Sequence, residues 1–294
     1  MWGWKKKEQV FFINKDKTLK PIKTNLKNVA CINHFYKFED GSGSLEEKFF
    51  SVIDDKAPKV IKKIISKEYD SKLNDEDKIN LIKYISSQII RVPFHFESIE
   101  IFDSAFKKQI TDGVSLFEEG VKSKFLHSII ESTKQYTDIL CKLSMKVLKN
   151  SSCEFVIGDN PVMVFEHNNN VVSNGESAAS INGKIFMMPL SPNDMLIYFD
   201  PLFENEISAY MKVSNYVQFS QSSQLVFGRN AELLELKLKE YYSYSYDFIR
   251  NTSPDLLLES KVKRGDPISI CKPQYVFEGQ ALEVLKEFAN RKLT

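Results

Sequence analysis

The sequence predicts an α+β fold, in which a predominantly helical bundle packs on a small mixed or antiparallel sheet. β-prone residues open the chain, apolar residues at helical spacing dominate to about residue 149, two β-rich runs follow, and helical spacing then returns. We expect the first strands to share one sheet with those of residues 154–199. Such sharing, together with the lack of an internal repeat, predicts a single domain over residues 1–294.

The N-terminal region, residues 9–38, is predicted to form a β-hairpin followed by further β-prone residues. Gln9 to Asn14 is the first strand, Lys15 to Lys17 the turn, and Leu19 to Thr24 the returning strand. The stretch EDGSGS then separates this region from the helices.

The region over residues 44–150 is predicted to be helical. Ser44, with Glu47 three residues later, has the spacing of a capping box and begins the first helix. Pro58 lies inside the apolar pattern of that helix and is expected to kink or divide it.

A second helix carries a regular stripe of isoleucines. It is predicted to begin at Asn74 or Asp75 and to end near Val92, because Pro93 disfavours helical geometry in the residue before it. Residues from about Phe94 to Lys149 are expected to be mostly helical.

The β-rich region, residues 153–200, contains two apolar runs separated by a polar loop. The first run, FVIGDNPVMVF, is predicted to be two short strands around a Gly-Asp-Asn-Pro turn. The second is predicted to contain the strands Ile185–Met188 and Met195–Phe199. The C-terminal region, residues 205–294, is expected to be helical, with one or two helices ending at Gly228, a residue typical of C-caps.

Composition argues against several classes of function. The chain of 294 residues holds 40 Lys and Arg against 39 Asp and Glu, so no global field draws it to nucleic acid or an anionic membrane, although a local basic patch is compatible with this balance. Four widely spaced cysteines without a CxxC pair argue against a zinc site or a disulfide framework. No apolar run approaches the roughly 20 residues that span a bilayer, and the N-terminus lacks the apolar core of a signal peptide. We therefore expect a cytoplasmic protein without a membrane partner.

Five segments follow one another in a characteristic order: NHFYKF, LEEKFFSVIDDKAPKVIKKI, SSQIIRVPFHF, FVIGDNPVMVF and MMPLSPNDMLIYF. This order resembles a large, mostly bacterial family catalogued as a domain of unknown function, over most of residues 9–230. The shared motifs are a Gln-x-x-Arg-x-Pro helix end, an Asp-Asn-Pro turn after a strand, and a Pro-Leu-Ser-Pro strand. Family members usually open with a His-Tyr-x-Pro-like segment, which residues 1–9 do not match, so the role of that segment is not carried over. The resemblance implies site residues without naming a reaction.

Gln88 and Arg91 lie three residues apart and share one helix face with Tyr84. Their donors suit a carboxylate or phosphate, to which the bidentate fork of Arg is adapted. Arg91 near a helix C-terminus equally stabilises the macrodipole, and a buried Arg91–Asp159 pair would serve either role. His95, four residues after Arg91, is a candidate acid or base, although this spacing is too short for the Arg–His signature of a helical class of ribonucleases.

Asp159 and Asn160 form the sharpest candidate pair, because a carboxylate at a strand end can bind a metal or take a proton. Glu166 is the second candidate metal ligand, but it lacks the Lys that metal nucleases place two positions after an acidic residue. Lys184 is a candidate to bring the missing positive charge close to these carboxylates in the folded protein. Lys184 and Asn160 are also candidate substrate contacts. The alternative is that Asp159 makes an Asx turn and holds the loop.

Two further sequence features give weaker indications of a functional site. Asn33 is a candidate substrate contact and His34 a candidate proton carrier, beside the aromatic pair Phe35-Tyr36; the alternative is a buried histidine bonded to backbone. The polar run VQFSQSS in the helical region after residue 205 is predicted to face water rather than to line a groove.

Two classes of function follow from these residues. The first is a bacterial effector-type hydrolase, a nuclease or phosphodiesterase acting on nucleic acid or nucleotide in toxicity or phage defence. In it, Arg91 and Gln88 bind phosphate, Asp159 binds a divalent metal or acts as base, and His34 or His95 moves protons. The second is a non-catalytic sensor or protein-interaction module with a protein partner, in which the same polar residues form a buried network that fixes the helices to the sheet. The sequence names no cofactor beyond the divalent metal that the first class allows.

Overall fold

The computed structural model describes residues 9–14, 20–25, 29, 35–38, 41, 43–66, 73–93, 95–97, 99–100, 103–104, 120–150, 154–166 and 184–252, with residues 166, 206, 209 and 242–252 by backbone alone. Helices outweigh two small antiparallel sheets, which confirms the predicted α+β class.

Three helices of the predicted helical region form a bundle in which α2 contacts both α1 and α3. α2 begins at Asp75, one of the two predicted starting residues, and Asn74 caps it, because the Asn74 Oδ1 accepts the backbone N–H of Asp77 at 2.8 Å. A π-helical turn, Glu46–Phe50, leads into α1. Among the described helices, none combines the length and apolar character that crossing a membrane requires. The bundle consists of α1, Ser51–Ile65; α2, Asp75–Ile90; and α3, Val121–Leu140.

The first helix runs unbroken through Pro58, so the predicted division does not occur. Pro58 lies on the exposed face, whereas Ala57, Val60 and Ile61 are buried. Since packing of an apolar face supplies most of the stability of a helix in a protein, one missing N–H bond on the solvent side does not end it.

The strands that the structure describes form two separate four-stranded sheets, so the prediction of one shared sheet is wrong. They are β1, Gln9–Asn14; β2, Ile22–Asn25; β3, Ser144–Lys149; β4, Ile157–Gly158; β5, Met163–Glu166; β6, Lys184–Pro189; β7, Asp194–Phe199; and β8, Leu225–Gly228. The first sheet has the order β2-β1-β8-β4 and the second the order β3-β7-β6-β5. The N-terminal hairpin therefore joins only the first sheet.

The inner strands of the second sheet, β6 and β7, are buried on both faces. In β6, Phe186 and Met188 pack with α1, α2 and α3, whereas Ile185 and Met187 pack with the later helices α4, Ile207–Gln221, and α5, Ala231–Thr252. A strand covered on both faces needs apolar residues at successive positions, which explains the unbroken runs IFMMPL and MLIYF. This sheet is the central layer, with the bundle on one side and α4, α5 and the first sheet on the other.

Two segments predicted as helix are strands. Ser144–Lys149 is β3 and pairs with β7, and Leu225–Gly228 is β8, between β1 and β4. A short apolar run fits a helix end or a buried strand equally well by periodicity. The neighbouring strands, which lie far away in sequence, decided the outcome.

Candidate functional site

The Gly-Asp-Asn-Pro turn, residues 158–161, carries the chain from one sheet to the other. β4 before the turn pairs with β8 in the first sheet, and β5 after it pairs with β6 in the second. The prediction of two short strands around the turn is confirmed, but these strands do not pair with each other. The turn lies against the C-terminal half of α4, whose side chains reach it.

Asp159 holds the segment that joins α4 to β8. Its Oδ1 accepts the backbone N–H of Ser223 at 2.8 Å, and its Oδ2 accepts those of Gln224 and Leu225 at 2.8 and 2.9 Å. The backbone N–H of Asp159 donates to the carbonyl of Leu225 at 2.9 Å. Three successive N–H groups thus surround the carboxylate as a backbone nest surrounds an anion. Because these donors turn the chain, α4 ends at Gln221 instead of continuing.

Asn215 bonds the backbone on both sides of Phe155. Its Oδ1 accepts the N–H of Val156 at 2.9 Å, and its Nδ2 donates to the carbonyl of Glu154 at 2.9 Å. Asn215 is buried, so these bonds replace the water that the strand end would otherwise need.

Gln218 and Gln221 continue the same pattern along α4. Gln218 Oε1 accepts the N–H of Gly158 at 2.7 Å, and its Nε2 donates to the carbonyl of Pro161 at 2.8 Å. Gln221 Nε2 donates to the carbonyl of Asn160, whose Nδ2 donates in return to the carbonyl of Gln221 at 3.4 Å. These side chains are buried, so the prediction that this polar run faces water is wrong. We call Asp159, Asn215, Gln218 and Gln221 the clamp.

Gly158 allows the turn to touch α4. A Cβ atom at this position would lie 1.8 Å from Ser222 Oγ and 3.2 Å from the carbonyl oxygen of Gln218. Glycine at this position therefore allows the turn to approach the Ser222 side chain and the Gln218 carbonyl closely.

Arg91 forms a second polar cluster at the end of α2. Its Nη1 donates to Asp54 Oδ2 at 2.7 Å, and its guanidinium lies over the ring of Phe50, 4.4 Å from the centroid. The Tyr36 ring is 6.0 Å from the guanidinium, and the Tyr36 hydroxyl donates to the carbonyl of Arg91 at 3.2 Å. The Arg91–Asp159 pair is therefore not formed, and Asp54 of α1 takes the place of Asp159.

Burial and the neighbouring charges have opposite effects on the pKa of Arg91 in this cluster. Burial, the largest single influence, would lower the pKa of Arg91, but the charge and hydrogen bond of Asp54, together with Tyr36 and Glu46, outweigh it, so the pKa lies above its usual value. Burial, followed by the Asp54 charge, raises the pKa of Tyr84 to about 12. Arg91 is thus a fixed cation and Tyr84 a neutral phenol at ordinary pH.

His95 is buried away from both groups. Its Nε2 lies 3.3 Å from Ser128 Oγ, which itself donates to the carbonyl of Phe125 at 2.7 Å. Burial lowers the pKa of His95 to about 4, so the imidazole is neutral near pH 7. The Ser128 hydroxyl donates to a backbone carbonyl, and no carboxylate in the described part of the chain orients His95, so this pair lacks the arrangement of a nucleophile and base.

The segment after Arg91 does reach the Asp159 turn, through Glu97. Ser223 Oγ donates to Glu97 Oε2 at 3.5 Å, and the backbone N–H of Ser223 donates to Asp159. The predicted residues nevertheless have separate partners: Asp159 and Asn160 contact the loop and helix end at 221–225, Arg91 contacts Asp54, and His95 contacts Ser128.

The candidate metal ligand Glu166 stands opposite Lys184 in the pairing of β5 with β6. Lys184 is buried, and the side chain of Glu166 lies outside what the structure describes. Within the described residues, no group of three His, Cys, Asp or Glu side chains is placed to hold a metal ion. The metal role of Asp159 and Glu166 stays a prediction, and so does substrate binding by Lys184.

Asn33 and His34 lie outside the described residues. Of the predicted substrate contacts, Gln88 is half-buried one turn before Arg91, and Asn160 is buried in the turn.

Sequence reasoning missed Asp54 and the clamp residues of α4. Asp54 interrupts an apolar stripe formed by Phe50, Ala57 and Ile61, and a charge on such a stripe signals a buried partner. Asn215, Gln218 and Gln221 follow one another at a spacing of three residues, so Asn215 extends the polar run along one helix face. Nothing in the local sequence distinguishes a buried polar face from a hydrated one.

A family model described as a protein of unknown function, DUF4238, matches residues 2–232, in agreement with the resemblance found in the sequence. No curated protein and no solved structure matches this chain.

Proposed function

Since this chain belongs to DUF4238, a family of proteins of unknown function, we propose its function from its geometry: it is a non-catalytic sensor or protein-interaction module whose polar motif residues are structural. The observation that carries this proposal is the Asp159 carboxylate, whose two oxygens accept three backbone N–H groups. A carboxylate that already serves as the anion of a backbone nest is poorly placed to bind a metal or take a proton.

The other motif residues support the same proposal. Asn160 is buried and exchanges hydrogen bonds with Gln221. His95 is buried, and at a pKa of about 4 it is a weak base near neutral pH. The order of motifs along the chain is then explained by a need to join two sheets and a bundle.

A hydrolase of the nuclease or phosphodiesterase type, acting in toxicity or phage defence, is the second candidate. The observation that favours it is Arg91, whose side chain stays 17% exposed beside the half-buried Gln88. A partly open guanidinium suits a phosphate oxygen.

Variants of the clamp test the first proposal against the second. Asp159→Asn removes a charge from the nest, and Gln218→Met is its matched control, because it breaks clamp bonds without changing any charge. Both would be expressed in cells in which the wild-type chain gives growth arrest or phage restriction. We expect the phenotype to fall in parallel with the folded fraction for both variants.

Purified wild-type protein would also be incubated with RNA and with single- and double-stranded DNA, in the presence of Mg²⁺ or Mn²⁺. We expect no cleavage above the buffer level. Cleavage that Asp159→Asn abolishes, at a temperature at which the variant is folded, would overturn the proposal in favour of the hydrolase.

A further inference from the structure

The ion pair of Arg91 with Asp54 is incomplete on both sides. It uses one of the five N–H donors of the guanidinium, at 2.7 Å. The second oxygen of Asp54, Oδ1, is buried and accepts no hydrogen bond from the described part of the chain. A buried carboxylate oxygen without a donor weakens a pair, because its desolvation is not compensated. Asp54 is therefore a partner that a better acceptor can displace.

The guanidinium packs against two aromatic side chains. It lies over the fully buried Phe50, 4.4 Å from the ring centroid, and 6.0 Å from the centroid of the Tyr36 ring. Neither of these ring contacts involves Asp54. The Arg91 side chain remains 17% exposed, and Gln88 stands one turn earlier on the same helix face. Gln88 is half-buried, and its side chain forms no hydrogen bond with the described residues. Together these groups offer N–H donors to an incoming oxyanion.

We propose that Arg91 binds the carboxylate of a ligand by exchanging its bond to Asp54, with Gln88 donating to the second oxygen. The inference rests on the proposed function as a sensor or interaction module, because it names the chemical group that the module recognises. It takes Gln88 and Arg91 out of the set of motif residues that are structural, whereas Asp159, Asn160 and His95 stay in that set. A planar carboxylate matches the fork of a guanidinium. The charges of Asp54 and of the exposed Glu46 near Arg91 disfavour a phosphate dianion more than a carboxylate monoanion.

The full chain, labelled with ¹⁵N, would be titrated with glutarate and, separately, with an acidic peptide whose termini are blocked. The side-chain Nε–H resonance of Arg91, assigned by its loss in Arg91→Lys, reports the exchange directly in the wild-type protein. Inorganic phosphate at the same ionic strength is the chemical control. We expect the Arg91 resonance to move with the carboxylates and to move less with phosphate.

Variants sharpen the expectation. Asp54→Asn removes the competing carboxylate and is expected to tighten carboxylate binding about three- to tenfold. Arg91→Lys keeps the charge, loses the fork, and is expected to weaken binding at least about fivefold. Lys63→Arg, on the exposed face of α1, is the matched surface control and should leave binding unchanged.

A response to glutarate would identify a small carboxylate as sufficient, and a response to the peptide alone would assign the carboxylate to a protein partner. An Arg91 resonance that moves with neither ligand, or an Asp54→Asn variant that binds no more tightly than the wild type while folded, would overturn the inference. Phosphate binding more tightly than the carboxylates would do the same. None of these outcomes depends on Asp159, so they are distinct from a failure of the proposed function, which nucleic-acid cleavage would reveal.

Discussion

Replacing Asp159 with alanine removes the acceptor that shapes the junction between α4 and β8. Three backbone N–H groups, those of Ser223, Gln224 and Leu225, lose their partner at once. The donors of Ser223 and Leu225 are partly buried, whereas that of Gln224 is exposed and can bond to water.

The size of the effect follows from these exposures. Each partly buried N–H that is left without an acceptor costs about 1.5 kcal/mol, and the exposed one costs roughly 0.5 kcal/mol. The free energy of unfolding of Asp159→Ala should therefore fall by about 3 to 4 kcal/mol. Asp159→Asn keeps one oxygen as acceptor, so we expect about half that loss.

Urea unfolding followed by circular dichroism would measure these differences. Asp200→Ala is a suitable control, because the Asp200 carboxylate accepts a single exposed N–H, that of Leu202 at 3.1 Å. The control should lose only about 0.5 to 1 kcal/mol. If Asp159→Ala were no less stable than Asp200→Ala, the view of Asp159 as the anchor of the turn would be wrong, and a functional role would gain support.

Further predictions concern the same turn and the buried histidine. Gly158→Ala should cost roughly 3 kcal/mol or more in unfolding free energy, because its Cβ would overlap Ser222 Oγ; the double variant with Ser222→Gly should recover part of this loss, and no recovery would place the clash elsewhere. Gln218→Glu should lower the melting temperature more than Gln218→Met, since its carboxylate would face the carbonyl of Pro161; equal losses would contradict the hydrogen-bond assignment. Burial lowers the pKa of His95 from 6.5 to about 4, so the unfolded chain binds the extra proton between these values and stability falls as the pH drops below about 6.5. The free energy of unfolding, measured with urea, should fall by about 2 kcal/mol between pH 7 and pH 5, and His95→Gln should abolish this pH-dependent loss. If the His95→Gln variant kept the same dependence of stability on pH, His95 would not be its source.

Much of the fold was predictable because its signals are local. The strand boundaries at Ile185–Met188 and Met195–Phe199 were each predicted to within one residue of β6 and β7. The start of α2 was predicted at Asn74 or Asp75, and the helix begins at Asp75 with Asn74 as its N-cap. Long periodic segments and caps depend on neighbours within a few residues, so the sequence reveals them directly.

The partition of strands between two sheets was not predictable in this way. Only four residues separate β4 from β5, so the sequence suggests two strands that belong together. In the structure β4 pairs with β8 and β5 pairs with β6, and both partners lie further along the chain. Strand pairing depends on contacts between distant segments, and a short apolar run fits several partners.

In the candidate site, too, some features were predictable from local sequence and others depended on distant contacts. The sequence by itself determined that Arg91 and Asp159 were the polar residues to examine, because charged groups beside a helix end and within a strand turn stand out locally. Only the tertiary structure decided their partners: Asp54 for Arg91, and the backbone of residues 223–225 for Asp159. The physical reason is that a charge leaving water needs a compensating group nearby in space, and the fold brings that group from any distance along the chain. The Gly-Asp-Asn-Pro turn was visible in the sequence, but its task of joining two sheets through the clamp became apparent only when α4 was packed against it.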